Sequence, residues 1–159
     1  MTAVKPIGGV RSCGLFRPRD IEVVWHEQRQ AEVTVSDGGL AAEVPLAEDK
    51  SLYTEQLRQW HGLWSVEHEL RLTAPAAEAA PWLDAEFLQR AAEEGVTARV
   101  EMLSGEVLWA GISPRFGTER PLYLAAVERL SELSPRQRPT VVLTLRGEDC
   151  DFAYRQKQE

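Results

Sequence analysis

The chain has 159 residues, 43% hydrophobic and 27% charged, with 18 basic against 25 acidic side chains and a net charge of -7. That length suits one domain able to bury about 70% of its unfolded surface without disulfide or metal staples, and the acidic balance runs against nucleic-acid binding, which needs a basic face. No apolar run reaches the ~20 residues of a membrane-spanning helix, and the N-terminal MTAVKPIGGVRSCG lacks the apolar core of a secretory signal, so no membrane partner and no export by the general route are expected.

Residues 1–18 are expected to form a flexible arm, because Pro6, Gly8, Gly9, Gly14 and Pro18 interrupt every period. IEVVWHE then alternates, with Ile21, Val23 and Trp25 on one face. Ala31, Val33 and Val35, a turn at Asp37-Gly38-Gly39, and Leu40, Ala42, Val44 and Leu46 follow with the period and turn chemistry of a hairpin. In the next stretch His61-Gly62 is the expected reversal. After it Trp64, Val66, His68, Leu70 and Leu72 point one way and Ser65, Glu67, Glu69, Arg71 and Thr73 the other, as in an antiparallel sheet with one wet face.

PAAEAAP (75–81) reads as a linker. WLDAEFLQRAAEEG predicts a helix over about 82–94, with Phe87, Leu88 and Ala91 on one stripe and Gly95 at the C-cap position. Val96, Ala98, Val100 and Met102 then alternate against Val107 and Trp109 about a Ser104-Gly105 turn. PLYLAAVERL fits a strand or a short helix and is assigned as a strand; SELSPRQRP is a polar connection and TVVLTLRGED a final strand. Residues 150–159 form a tail in which Phe152 and Tyr154 are able to dock. The expected fold is mainly β: an antiparallel sandwich or partly open barrel of about eight strands with one inserted helix, its single domain spanning 19–149.

Chemistry-bearing motifs are sparse. Cys13 and Cys150 lie near opposite ends with no CxxC, which favours two reduced thiols in a cytosolic setting over a disulfide joining the termini. None of His26, His61 and His68 has metal-ligand spacing; His68, on the apolar face of its strand, reads as a core histidine with one hydrogen bond. Glu67/Glu69, Glu93/Glu94 and Glu148/Asp149/Asp151 read as solvated acidic surface. There is no GxSxG elbow, phosphate-binding glycine loop or calcium loop, so no catalytic residue, cofactor or metal is assigned. Trp25, Trp64, Trp82 and Trp109 fall on apolar faces and are expected in the core, which leaves Trp60 as the exposed aromatic candidate. The loop GISPRFGTERPLYL carries arginine and an aromatic ring on a conformationally limited backbone, the composition interfaces favour. Its Arg115, Phe116, Glu119 and Arg120, with Trp60 and His61, are the interface candidates.

AEDKSLYTEQL, then VEHELRLTAP, a short helix, and RFGTERPLYL give the run from about Ala47 to Leu124 a resemblance to phage- or prophage-encoded proteins of gut Bacteroidales. The order of arm, hairpins, sheet, helix and further strands is also similar to tail-tube-type structural proteins. The resemblance implies subunits that join sheets edge to edge into rings, in the cytoplasm or in a virion. The expected function is therefore non-enzymatic: a phage-like tail component that self-associates, or binds other virion proteins, through its arm and loops. The alternative is a small-ligand-binding barrel or enzyme with a pocket lined by Trp64, His68 and Trp109.

Overall fold

A computed structural model describes residues 8–27, 30–36, 40–47, 50–113, 117–130, 139–149 and 152–156. Within them the protein is mainly β, with eleven strands and two short helices. In chain order these are β1 (Gly8–Phe16), β2 (Ile21–Glu27), β3 (Gln30–Val35), β4 (Leu40–Val44), β5 (Leu52–Trp60), β6 (Leu63–Pro75), α1 (Ala76–Ala79), α2 (Ala85–Glu93), β7 (Thr97–Met102), β8 (Val107–Ala110), β9 (Tyr123–Leu130), β10 (Thr140–Asp149) and β11 (Tyr154–Gln156). The strands bond along one path, β2-β3-β11-β8-β7-β1-β5-β6-β10-β9, with β4 attached to β1. Among the described residues every pairing is antiparallel except that of β11 with β3.

The path bends back on itself. Val96, just before β7, and Leu122, just before β9, exchange backbone hydrogen bonds of 2.7 and 2.9 Å. Because this bridge is antiparallel, the chain leading into Val96 runs beside β9, and α2 packs on that strand. The Asp84 side chain starts α2 by accepting from the Phe87 N–H at 2.8 Å. Gly95 ends it at φ 82°, where a side chain would be strained and its Cβ would meet Pro121 Cγ at 2.6 Å. Phe87 and Ala91 face inward, with Trp82 edge-on to the Phe87 ring at 5.1 Å.

Two apolar clusters result. The larger joins Cys13 and Leu15 of β1, Tyr53, Leu70, Leu72, Val100, Leu143, Leu145 and the helix residues Phe87 and Ala91. The smaller packs Ile21 and Ala31 of the β2–β3 hairpin against Phe16, Trp109, Ile112 and Tyr154.

Several sequence expectations change. Residues 8–16 are not part of a flexible arm but form β1, between β7 and β5 on the path, with Val10, Cys13 and Leu15 buried; residues 1–7 lie outside the described residues. A register irregularity between Val10 and Ser12 breaks the two-residue beat there, so alternation could not reveal the strand. The hairpin expected to join 31–35 to 40–46 does not form. β3 pairs with β2, and β4 crosses to β1, where Ala42 and Val44 lie opposite Leu15 and Cys13 and gain a buried face. Its expected turn, 37–39, lies outside the described residues. The single helix over 82–94 becomes α2 at 85–93, and α1 occupies part of the expected linker. The tail contributes β11, with Tyr154 buried. The hairpins about His61-Gly62 and Ser104-Gly105 and the strand choice for 123–130 agree with the structure.

Candidate functional site

β5 and β6 place a polar cluster inside the protein. Alternation puts Tyr53 and Glu55 on the inner face of β5, and antiparallel register sets Glu55 directly opposite His68 and Tyr53 opposite Leu70. The Tyr53 hydroxyl and His68 Nδ1 share a hydrogen bond of 2.6 Å, and Glu55 Oε2 lies 3.5 Å from the same nitrogen. Glu55 Oε2 also accepts from the Ala153 N–H at 2.8 Å, tying the residue before β11 to β5 across the sequence. Tyr53, Glu55, His68 and Ala153 are all buried. Burial, then the charge of Glu55 and a hydrogen bond with it, hold the Tyr53 phenol well above the usual tyrosine range.

A second polar pair adjoins this cluster. Ser113 Oγ donates to Asp149 Oδ1 at 2.8 Å, both residues being buried. His68, Gly111, Ile112, Arg120, Leu122, Gly147 and Asp149 border one narrow space with no room for a water molecule. Burial pushes the Cys13 thiol up to about 12, so it is held as the neutral, unreactive form. Chemically, the interior cluster satisfies buried polar groups and anchors the C-terminal strand. Among the described residues, no group of three or more His, Cys, Asp or Glu side chains is gathered as a metal site needs, and no helix is long and apolar enough to cross a membrane.

The surface offers a different feature. β5 and β6 join through a two-residue turn with φ 48° at His61 and 80° at Gly62, the paired positive values of a tight hairpin. Beyond the turn Leu63 is 74% exposed and Trp64 51% exposed. Among the described residues, β10 pairs with β6 only as far as Val66. Trp64, expected in the core, is therefore at the surface, half exposed at the end of the inner row of β6.

The expected interface residues are dispersed. His61 is exposed at the tip, and Trp60 pairs through its backbone with Leu63. Glu119 and Arg120 are exposed, with Arg120 bordering the space beside His68. Arg115 and Phe116 lie outside the described residues. Trp64, His68 and Trp109 do not line one pocket: Trp64 is at the tip, His68 is inside, and Trp109 packs on Phe16 with ring centres 5.7 Å apart and donates to Gln156 at 2.6 Å. Leu63 escaped the sequence reading; the signal for it was WHGLW itself, three large apolar residues crowded around a turn. Comparison with protein-family models, curated proteins and solved structures found no match.

Proposed function

We propose that the chain is a non-enzymatic assembly protein, a partly open antiparallel barrel that self-associates through apolar side chains held at its surface. The observation that carries this reading is the exposure of Leu63 and Trp64 on a short-turned hairpin. Large apolar residues clustered at a tip mark contact sites more often than scattered ones do. The barrel form is supported by the Val96–Leu122 bridge, which brings the two ends of the path β7-β1-β5-β6-β10-β9 together. The phage-tail character, and with it a ring of copies or contact with other virion proteins, rests on the sequence resemblance. Against the alternative of a ligand pocket or active site around His68 stands the space it borders with Gly111, Leu122 and Asp149, which has no room for a water molecule.

Sedimentation velocity across a concentration series tests the proposal. The wild-type chain is expected to move from monomer to larger species as concentration rises, and Leu63→Glu to remain monomeric throughout. A wild-type chain that stays monomeric at every concentration overturns it.

A further inference from the structure

β6 ends in two unlike surfaces. At its start stand Leu63 and Trp64, exposed past the last residue paired with β10. At its far end, beyond Pro75, the chain turns into α1, and a groove of about 770 Å3 opens between Ala76 and Ala80 on one side and Leu130, Thr140 and Val141 on the other. Its lining is mainly apolar, and Arg129 borders it with no ion pair to any described side chain. Thirteen residues of strand, roughly 40 Å at ~3.3 Å each, separate the two surfaces, so they cannot meet within one molecule.

We propose that this groove receives the hairpin tip of a second copy, with Leu63 and Trp64 entering it and the Arg129 guanidinium against the indole face. The inference rests on the self-association reading and names the two surfaces that meet. Charge complementarity selects the occupant: a guanidinium with no ion pair among the described side chains, bordering an apolar trough, suits the negative face of an aromatic ring, and the half-exposed Trp64 supplies one. Size agrees, since a groove of this volume takes a drug-sized molecule and so accommodates an indole with an isobutyl group.

The area sets the strength. A tryptophan side chain buries 150–250 Å2 in full, so the exposed half of Trp64 offers about 100 Å2 and the tip with Leu63 about 200 Å2. A stable interface takes about 800 Å2 per partner. One tip in one groove is therefore a weak contact. Because tip and groove are different surfaces, the contact is heterologous: each copy has one of each free to continue, and the chain of copies either closes or grows.

The test uses two variants that each spoil one surface. Leu63→Glu removes the knob and Ala80→Trp fills the groove; both sites are exposed, and far-ultraviolet circular dichroism confirms folding. Each variant alone is expected to be monomeric in sedimentation, and an equimolar mixture to form a one-to-one dimer and nothing larger. Arg129→Glu, a second groove variant, is expected to weaken wild-type assembly by at least ~tenfold, the size of a loss at a hot spot. Wild-type assembly that survives Ala80→Trp and Arg129→Glu overturns the groove assignment while leaving self-association standing. A mixture that stays monomeric when each variant alone is monomeric overturns the tip-in-groove pairing. A wild-type chain that never associates overturns both.

Discussion

Glu55→Ala is expected to destabilise the protein by about 4 kcal/mol, and the interior geometry says why. The carboxylate accepts from the Ala153 N–H at 2.8 Å and lies 3.5 Å from His68 Nδ1, with all three residues buried. Truncation strands the Ala153 N–H away from water, at a cost of about 1–3 kcal/mol. It also removes the acceptor facing His68 and Tyr53; breaking a buried polar pair from one side costs about 3–5 kcal/mol in all. Glu55→Gln preserves the shape and can still accept from Ala153, so about half that loss is expected. The loss has a location as well as a size. β11 is three residues long, and its other ties include its pairings with β3 and β8, the packing of Tyr154, the Trp109–Gln156 bond and the Arg155–Glu106 ion pair. Freeing Ala153 should therefore raise amide exchange over Tyr154–Gln156 and shift Trp109 fluorescence before global unfolding. Urea denaturation measures the total, and hydrogen exchange gives the position. A Glu55→Ala loss below about 1 kcal/mol, or unchanged exchange in β11, refutes the view that this carboxylate anchors the C-terminal strand.

Alkaline stability follows from two raised acids. Below pH 9 the Cys13 thiol is neutral folded or unfolded; above it the unfolded chain gives up the proton while the fold keeps it to about 12, so stability falls by ~1.4 kcal/mol per pH unit, on the order of 4 kcal/mol by pH 12. Tyr53 adds a loss of the same sign above pH 10. Urea titrations from pH 7 to 11 should give a shallower decline for Cys13→Ala than for wild type; parallel declines would refute the burial argument. Gly95→Ala and Gly62→Ala share a positive φ but not surroundings: about 1–2 kcal/mol is expected at Gly62, where a Cβ meets open space, and a clearly larger loss at Gly95, against Pro121 and Leu122. Equal losses in thermal denaturation would mean that the seam yields. Asp84→Ala should cost about 1 kcal/mol through the lost cap on Phe87, read from the urea midpoint; no change would show that another group caps the helix.

Part of the sheet was legible because β6 and β7 largely keep a two-residue beat. Both were found, along with the tight turns that join them to β5 and β8, whereas β5 has a less regular pattern and β10, assigned as the final strand, buries Val141 to Leu145 without alternating. β1 was hidden because its irregularity puts Val10, Cys13 and Leu15 on one side at unequal spacing, among glycines that resemble loop punctuation. Missing β1 also hid the partner of β4, so a local hairpin was the best available reading of that segment. The interior cluster was half legible: His68 was placed on an inner face with one hydrogen bond. Glu55 was not singled out, because a carboxylate in an alternating strand looks like an outward residue. What brings it inward is the partner N–H of Ala153, and a backbone group 98 residues away leaves no trace in local pattern.

Periodicity assigns a side; neighbours decide whether that side is covered. The inner row of β6 makes the distinction plain, since Trp64, Val66, His68, Leu70 and Leu72 share one face. Leu70 and Leu72 lie beside Leu145 and Leu143 of β10 and are sealed; His68 lies beside Gly147 and is sealed by polar partners. Val66, beside Asp149, is the last residue of the row with β10 alongside, and Trp64, the next, is half exposed. Large apolar side chains clustered at an exposed hairpin tip carry a risk of misassociation. Under the proposed self-association, burying those two side chains against a second molecule would recover the apolar transfer that the fold leaves undone.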